Sequence, residues 1–285
     1  MKIEQNTVIN IPKGSINKII THLKDKNYDV NKLDSIFLRF IGTPKSGYIR
    51  IKEKHISKAN FLYKITQAKA EVVNVTLIPG ETTYIFLEQL AKKLNLDIKK
   101  LREEFKKQSP VQEGAFLPNT YNVFKKTDER RLIKSLLTRS LNKMKKISFQ
   151  NFHKYNKKRW FNYIAIASVI QKESANNKEM PIVSSVIYNR LKKGMRLQMD
   201  GTLNYGKYSH IKVTAKRIRD DKSAFNTYKI KGVPAIPVCN VSIEAINAAI
   251  YPAKTSYLYF MKNKNGLHDF SRNYSTHLKN INATK

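Results

Sequence analysis

Seven acids follow Trp160: Glu173, Glu179, Asp200, Asp220, Asp221, Glu244 and Asp269. Of these, Glu173 has the setting that proton chemistry asks for. It follows the eight-residue run Tyr163 to Ile170 and stands in phase with Ile166, Val169 and Ile170 at spacings of three and four, the repeat of one helix face. A carboxyl at the end of such an apolar stripe is desolvated and keeps its proton to higher pH, as a general acid working at neutral pH must. The same spacing also suits a helix-end glutamate paired with Lys172 or Lys178. Asp200 lies in LQMDGTLNYG, whose polar side chains could hold a substrate, although Asp-Gly-Thr is also a common turn. Together the two acids suggest a pair of the glycosidase kind.

Other chemistries find little support. There is no Gly-x-Ser-x-Gly elbow, no Gly-x-x-x-x-Gly-Lys phosphate loop and no His-Glu-x-x-His. The six histidines, at 22, 55, 153, 210, 268 and 277, are scattered, so no metal and no cofactor is expected. Cys239 is the only cysteine, which excludes an internal disulfide and reads as packing.

The elements that must position these acids are short and irregularly alternating. A helix over 160–175 carries Glu173, and PIVSSVIYNRLKKGM (181–195) is a second helix, opened by Pro181 and stopped near Gly194. Turn-rich segments, the short helix SIEAINAAIYP and the strand SYLYFMK follow, without a regular βα period, so the class is α+β. Upstream, Thr127 is expected to cap a helix running through DERRLIKSLLTRSLNKMKK. Before it lies a loop, QSPVQEGAFLPNTYNVF (108–124), marked by Pro110, Gly114 and Pro118.

The amino-terminal region repeats itself. VINIPKGSINKIITHLKDKNYDVNKL (8–33) and VTLIPGETTYIFLEQLAKKLNLDIKKL (75–101) both read as strand, Ile-Pro with a nearby glycine, amphipathic helix and a second helix start. Between the copies, GYIRI reads as a strand and SKANFLYKITQ as a helix capped by Ser57. We divide the chain into a β-α-α scaffold or binding region, 1–109, and a mixed α+β region that carries these acids, 110–285.

Charge is extreme: 54 Lys+Arg against 21 Asp+Glu, net +33. Such a field draws polyanions, whether nucleic acid, anionic lipid headgroups or an acidic wall polymer, and it also fits a lysine-rich solvated surface. The stretch NKMKKISFQNFHKYNKKRW (142–160) interleaves bases with rings, a pattern that grips single-stranded nucleic acid or sugar faces and equally a solvated helix with buried aromatics. No recognised nucleic-acid-binding motif is present. No apolar run approaches the roughly 20 residues needed to cross a bilayer, and MKIEQNTVINIPKGS lacks the layout of a signal peptide.

IASVIQKES followed by PIVSSVIYNRLKKGMRLQMDGTLNYG resembles the endolytic murein transglycosylase, or YceG-like, family. FNTYKIKGVP, PAKTSYLYF and the upstream EGAFLPNTY match further motifs of that family in order, so the resemblance spans nearly the whole chain. It implies that Glu173 is catalytic: a single carboxyl protonates the β-1,4 glycosidic oxygen between N-acetylmuramic acid and N-acetylglucosamine, then takes the proton of the muramoyl C6 hydroxyl as that oxygen closes a 1,6-anhydro ring. Ser174, Asn189, Arg190, Gln198, Asp200, Thr202, Tyr205, Asn226, Thr227 and Tyr228 fall on motif positions and become candidate substrate-binding residues. The resemblance also implies LysM-like amino-terminal units and a place at the outer face of the cytoplasmic membrane, with nascent peptidoglycan strands, peptidoglycan synthases and the anionic membrane surface as partners and no nucleic acid. The family usually has an amino-terminal membrane helix; this sequence has none, and the resemblance implies that it is the portion beyond that anchor. Departures fall in loops: Asp200-Gly201-Thr202 stands for Asp-Pro-Thr, Pro234-Ala235-Ile236 for Pro-Pro-Gly, Asn240-Val241-Ser242 for Asn-Pro-Gly, and Gly266-Leu267-His268 for Gly-Gly-His. The alternatives are a lysozyme-type hydrolase of the same bond and a basic nucleic-acid-binding protein.

Overall fold

The computed structural model describes residues 1, 7–67 and 72–284; residues 2–6, within the amino-terminal stretch read above, lie outside them. The chain forms two compact units, one of residues 1–75 with 121–128 and one of residues 76–120 with 129–285.

In the first unit, β1 (Thr7–Ile11) leads into α1 (Ile16–Asp25), α2 (Lys32–Ile41), β2 (Gly47–Ile51) and α3 (Lys58–Gln67). Ser15 caps α1, Asn31 and Asp34 form a reciprocal capping box on α2, and Ser57 Oγ accepts the Asn60 N–H at the start of α3. β1 and β2 pair antiparallel with Ile9 opposite Ile49, and period-two alternation turns Ile9, Ile11, Ile49 and Ile51 onto one face. That face is buried with Ile19, Ile20 and Leu23 of α1, Leu38 of α2, and Phe61, Leu62 and Ile65 of α3. The opposite side of α2 is unusual. Leu33 (72% exposed), Ile36, Phe37 and Phe40 (85% exposed) repeat at one-face spacing toward solvent.

The second copy of the repeat gives β3 (Val72–Leu77), α4 (Thr83–Leu94), α5 (Ile98–Gln108) and β4 (Asn119–Phe124), and β3 pairs with β4. Both copies are therefore strand-helix-helix-strand, and the division between the units crosses β3 and β4. β4 falls within the stretch that reads as a loop in the sequence. The EGAFLPNTY segment has a defined task at α4: the carboxylate of buried Glu113 accepts Thr83 N–H and Oγ–H and Gly114 N–H, satisfying donors at the helix start. Burial nevertheless pushes Glu113 up to about 7.

The remainder of the second unit is built on α6 (Glu129–Phe152), α7 (Lys157–Glu173), α8 (Met180–Lys192), α9 (Ala215–Asp220), α10 (Ile243–Ile250), the antiparallel hairpin β5 (Tyr259–Lys262) and β6 (His268–Ser271), and α11 (Tyr274–Thr284). α6 starts two residues after Thr127, whose hydroxyl instead meets the Asp128 carbonyl. The basic aromatic stretch divides between the end of α6 and the start of α7, with Phe152 stacked on Tyr163 and Arg159 over Phe152.

α7 is central. Trp160, Ile164, Ala167, Val169 and Ile170 are buried against Val183 and Ile187 of α8 and Ala245, Ile246 and Ala249 of α10, which explains why its sequence is apolar on more than one face. The polar residue inside that run, Ser168, is fully buried; its hydroxyl donates to Ala165 O and accepts Val238 N–H. Cys239 Sγ faces Ser168 O at 3.7 Å, and burial pushes this thiol up to about 12.

Candidate active site

α7 begins three residues before the expected Trp160 because Asn156 caps it, and it ends on Glu173 with Ser174 as its C-cap. Glu173 is thereby held where the core meets a cavity of about 300 Å³. Its lining also includes Arg190, Gln198, Met199, Asp200 and Tyr228, together with Phe260, Met261, Lys262 and His268 from the β5–β6 hairpin.

Among the described residues Glu173 forms no ion pair, and Lys172 Nζ donates to Ser209 Oγ instead. Glu173 Oε1 accepts the Gly201 N–H at 2.8 Å. Burial raises its pKa from the ordinary carboxylate range to about 7, and Asp200 adds in the same direction. The Gly201 N–H and the Arg190 cation oppose that rise without cancelling it. Gly201 is a glycine for want of space: a Cβ there would lie 2.7 Å from Glu173 Oε1 and 2.7 Å from Lys172 Cβ. Backbone thus reaches the carboxylate in a way no larger residue could.

Asp200 is oriented by Tyr228, whose hydroxyl donates to Oδ1 at 2.7 Å. Burial, followed by this bond, raises the Tyr228 pKa, so the phenol stays protonated and remains the donor. Gln198 takes a left-handed backbone, φ +47°, a conformation that costs a non-glycine residue energy and is held here by its N–H to Thr227 O.

The structure gathers Glu173, Arg190, Gln198, Asp200 and Tyr228 on one cavity, with Ser174 adjoining through the chain. Ser174 Oγ is buried without a hydrogen-bond partner. Arg190 is buried and tied to backbone: Nε donates to Leu258 O at 2.6 Å and Nη1 to Leu197 O, joining α8 to the segments on either side of the cavity. Asn189 Nδ2 donates to Thr255 O and Tyr257 O. Thr202 and Thr227 are buried and share a hydroxyl contact, with Thr227 Oγ1 accepting Met199 N–H. Asn226 Nδ2 donates to Ile218 O and Asp221 O. These four side chains brace the loops behind the cavity. Tyr205 lines a different cavity of about 340 Å³, stacked on Phe225 with its hydroxyl on Asp221.

Sequence reasoning passed over His268 and its partner Glu179. His268 N–H donates to Glu179 Oε1 at 2.9 Å, and its Nδ1 lies 2.7 Å from Oε2. The available signal was that His268 occupies the last position of the segment standing for Gly-Gly-His.

A model of the YceG-like family matches residues 9–283. The endolytic murein transglycosylase of Bacillus subtilis (strain 168) is 28% identical over 304 residues, covering 95% of this chain and 82% of that protein. That of Streptococcus pneumoniae (strain ATCC BAA-255 / R6) is 28% identical over 175 residues, 59% of this chain and 31% of its own length. In fold, the chain is similar to the 2.6 Å crystal structure of a yceG-like protein from Listeria monocytogenes, with a TM-score of 0.60 and 23% identity over 97% of this chain and 99% of that one. The chain belongs to the YceG-like family.

Proposed function

We propose that this protein is an endolytic peptidoglycan lytic transglycosylase that cuts the β-1,4 bond between N-acetylmuramic acid and N-acetylglucosamine in nascent strands and leaves 1,6-anhydromuramoyl ends, terminating elongation. The observation that carries this reading is Glu173: a carboxyl raised to about 7, on an open cavity, in a family whose named relatives are endolytic murein transglycosylases. A group of that pKa is protonated often enough to act as acid and ionised often enough to act as base. Glu173 gives its proton to the glycosidic oxygen as the bond to C1 breaks. The C6 hydroxyl of the same sugar attacks C1 and returns its proton to Glu173, so no water is consumed. Because the nucleophile is tethered to the reacting ring, positioning supplies much of the rate. Asp200, oriented by Tyr228, supplies negative charge for the oxocarbenium character at C1.

All the cavity residues fall between 173 and 268, which supports a catalytic role for residues 110–285; residues 1–109 we read, from the family resemblance, as a LysM-like glycan-binding region. Incubated with uncrosslinked strands, the protein is expected to give internal cleavage with anhydro ends by mass spectrometry. Reducing muramic acid ends would replace this reading with the lysozyme-type hydrolase.

We place the protein at the outer face of the cytoplasmic membrane, near peptidoglycan synthases. No helix among the described residues is long and apolar enough to cross a membrane. The solvent-facing stripe of α2, flanked by Lys32 and Arg39, suits an anionic lipid surface, as does the excess of 16 Lys/Arg over 7 Asp/Glu in residues 1–75 and 121–128. Co-sedimentation with phosphatidylglycerol vesicles is expected, weakened about tenfold or more in Leu33→Ser/Phe40→Ser through lost apolar burial. Absence of vesicle binding, or a concentration-dependent dimer abolished by the same pair, would remove the lipid assignment.

A further inference from the structure

The hairpin lining of the Glu173 cavity holds a histidine whose surroundings leave it one free polar atom. Glu179 stands at the entry to α8, five residues past the C-cap of α7, and its side chain is 10% exposed, as is that of His268. Its two oxygens take the His268 backbone N–H, the His268 ring at Nδ1, and the Ala175 N–H at 3.2 Å. Burial alone would raise this carboxyl, but the bonds from His268 and Ala175 outweigh it and hold it below the usual carboxylate range. An ionised carboxylate only accepts hydrogen bonds, so the proton on the imidazole sits on Nδ1. Phe260 meets the ring edge-on at 5.2 Å and Phe270 lies 6.2 Å away, so the ring is packed by aromatics as well as hydrogen-bonded. What remains is Nε2, a lone-pair acceptor on a residue lining the same cavity as Glu173, Asp200 and Tyr228.

We propose that His268, held in one tautomer by Glu179, is a substrate-binding residue whose Nε2 accepts a hydrogen bond from a hydroxyl of the saccharide seated against Glu173. The proposal rests on the transglycosylase reading for its substrate class. Of the remaining groups around this cavity, Arg190 and Lys262 are cations, Glu173 and Asp200 are carboxyls, the Tyr228 hydroxyl is already given to Asp200, and Gln198 brings an amide that both donates and accepts. A neutral acceptor selects a hydroxyl without competing for the proton that Glu173 delivers.

The dyad could otherwise be a strap fastening the hairpin to the turn before α8, and two substitutions separate the roles. His268→Asn keeps an amide N–H near Nδ1 and so keeps the strap, but has nothing at Nε2; His268→Gln places an amide oxygen near Nε2 and weakens the strap. Binding of uncrosslinked glycan strands is measured in a Glu173→Gln background, which does not turn them over, and kcat/KM is measured with Glu173 present. His268→Asn is expected to weaken binding and lower kcat/KM about tenfold with an unchanged Tm, and to be worse than His268→Gln. His268→Asn with wild-type binding and rate overturns the proposal and leaves the transglycosylase reading standing. Binding that falls in His268→Asn when the wild type makes no product supports the proposal and removes that reading. Strands that do not bind at all overturn both.

Discussion

Glu173→Gln is expected to abolish turnover of uncrosslinked glycan, with a loss of about 10³-fold or more. General acid or base help from one residue is worth about 10²–10⁴, and here one carboxyl serves both transfers, which puts the loss toward the upper end. Glutamine keeps the shape and still offers an oxygen to the Gly201 N–H, so the cavity stays formed. As an acid Glu173 must be protonated, so the wild-type rate falls as pH rises above about 7. The same group sets a stability signature of opposite benefit. Its folded pKa lies above the unfolded value, so between about 4.5 and 7 the folded state holds the extra proton and stability falls as pH rises. Glutamine escapes that loss. Thermal melts should show Glu173→Gln more stable than wild type at pH 8, by roughly 1–3 kcal/mol for a side chain that is half-buried rather than sealed, and equal to it at pH 4. Equal melts at both values, with turnover retained, would remove Glu173 from the chemistry. Wild-type stability also declines over this window through Glu113, so the comparison must be with the variant.

Gly201→Ala should be the next most damaging single change, with kcat down about 10²-fold. The added methyl needs space now filled by Glu173 Oε1 and Lys172 Cβ, and Lys172 O lies only 3.2 Å away, so the Asp200–Leu203 turn has to retreat from the end of α7. A displacement near 1 Å in a catalytic constellation can cost about 10²-fold. Retreat also breaks the N–H bond that favours the charged carboxylate, so the Glu173 pKa rises and the alkaline limb of the rate profile moves to higher pH. A general loosening of the fold would lower the Tm without moving that limb. An alanine variant with wild-type kcat and profile would show that the turn accommodates a side chain freely.

Some of this was legible in the residues. The Ile166, Val169, Ile170 and Glu173 spacing located the helix and the carboxylate, because a periodic apolar stripe fixes both orientation and burial. The repeated Ile-Pro segments located two similar units, and the structure adds β4, hidden because NTYNVF is half polar and follows Pro118. Polar residues near Asp200 were harder. Thr202, Asn226 and Thr227 look the same in sequence whether they face a ligand or a backbone carbonyl, and only the fold shows them turned inward. The hairpin wall was invisible for another reason. His268 lies 95 positions beyond Glu173, and nothing in the local pattern of either segment encodes their meeting.

The lone thiol gives the molecule a built-in reporter of opening. Cys239 is sealed in the core against the Ser168 carbonyl, on the same helix that ends in Glu173, and its raised pKa suppresses the reactive thiolate. Alkylation therefore tracks the population in which this core is open, and a saccharide that binds only the closed form lowers it. Ligand engagement at the cavity can thus be read from a single sulfur atom, with no bond in the glycan ever being cut.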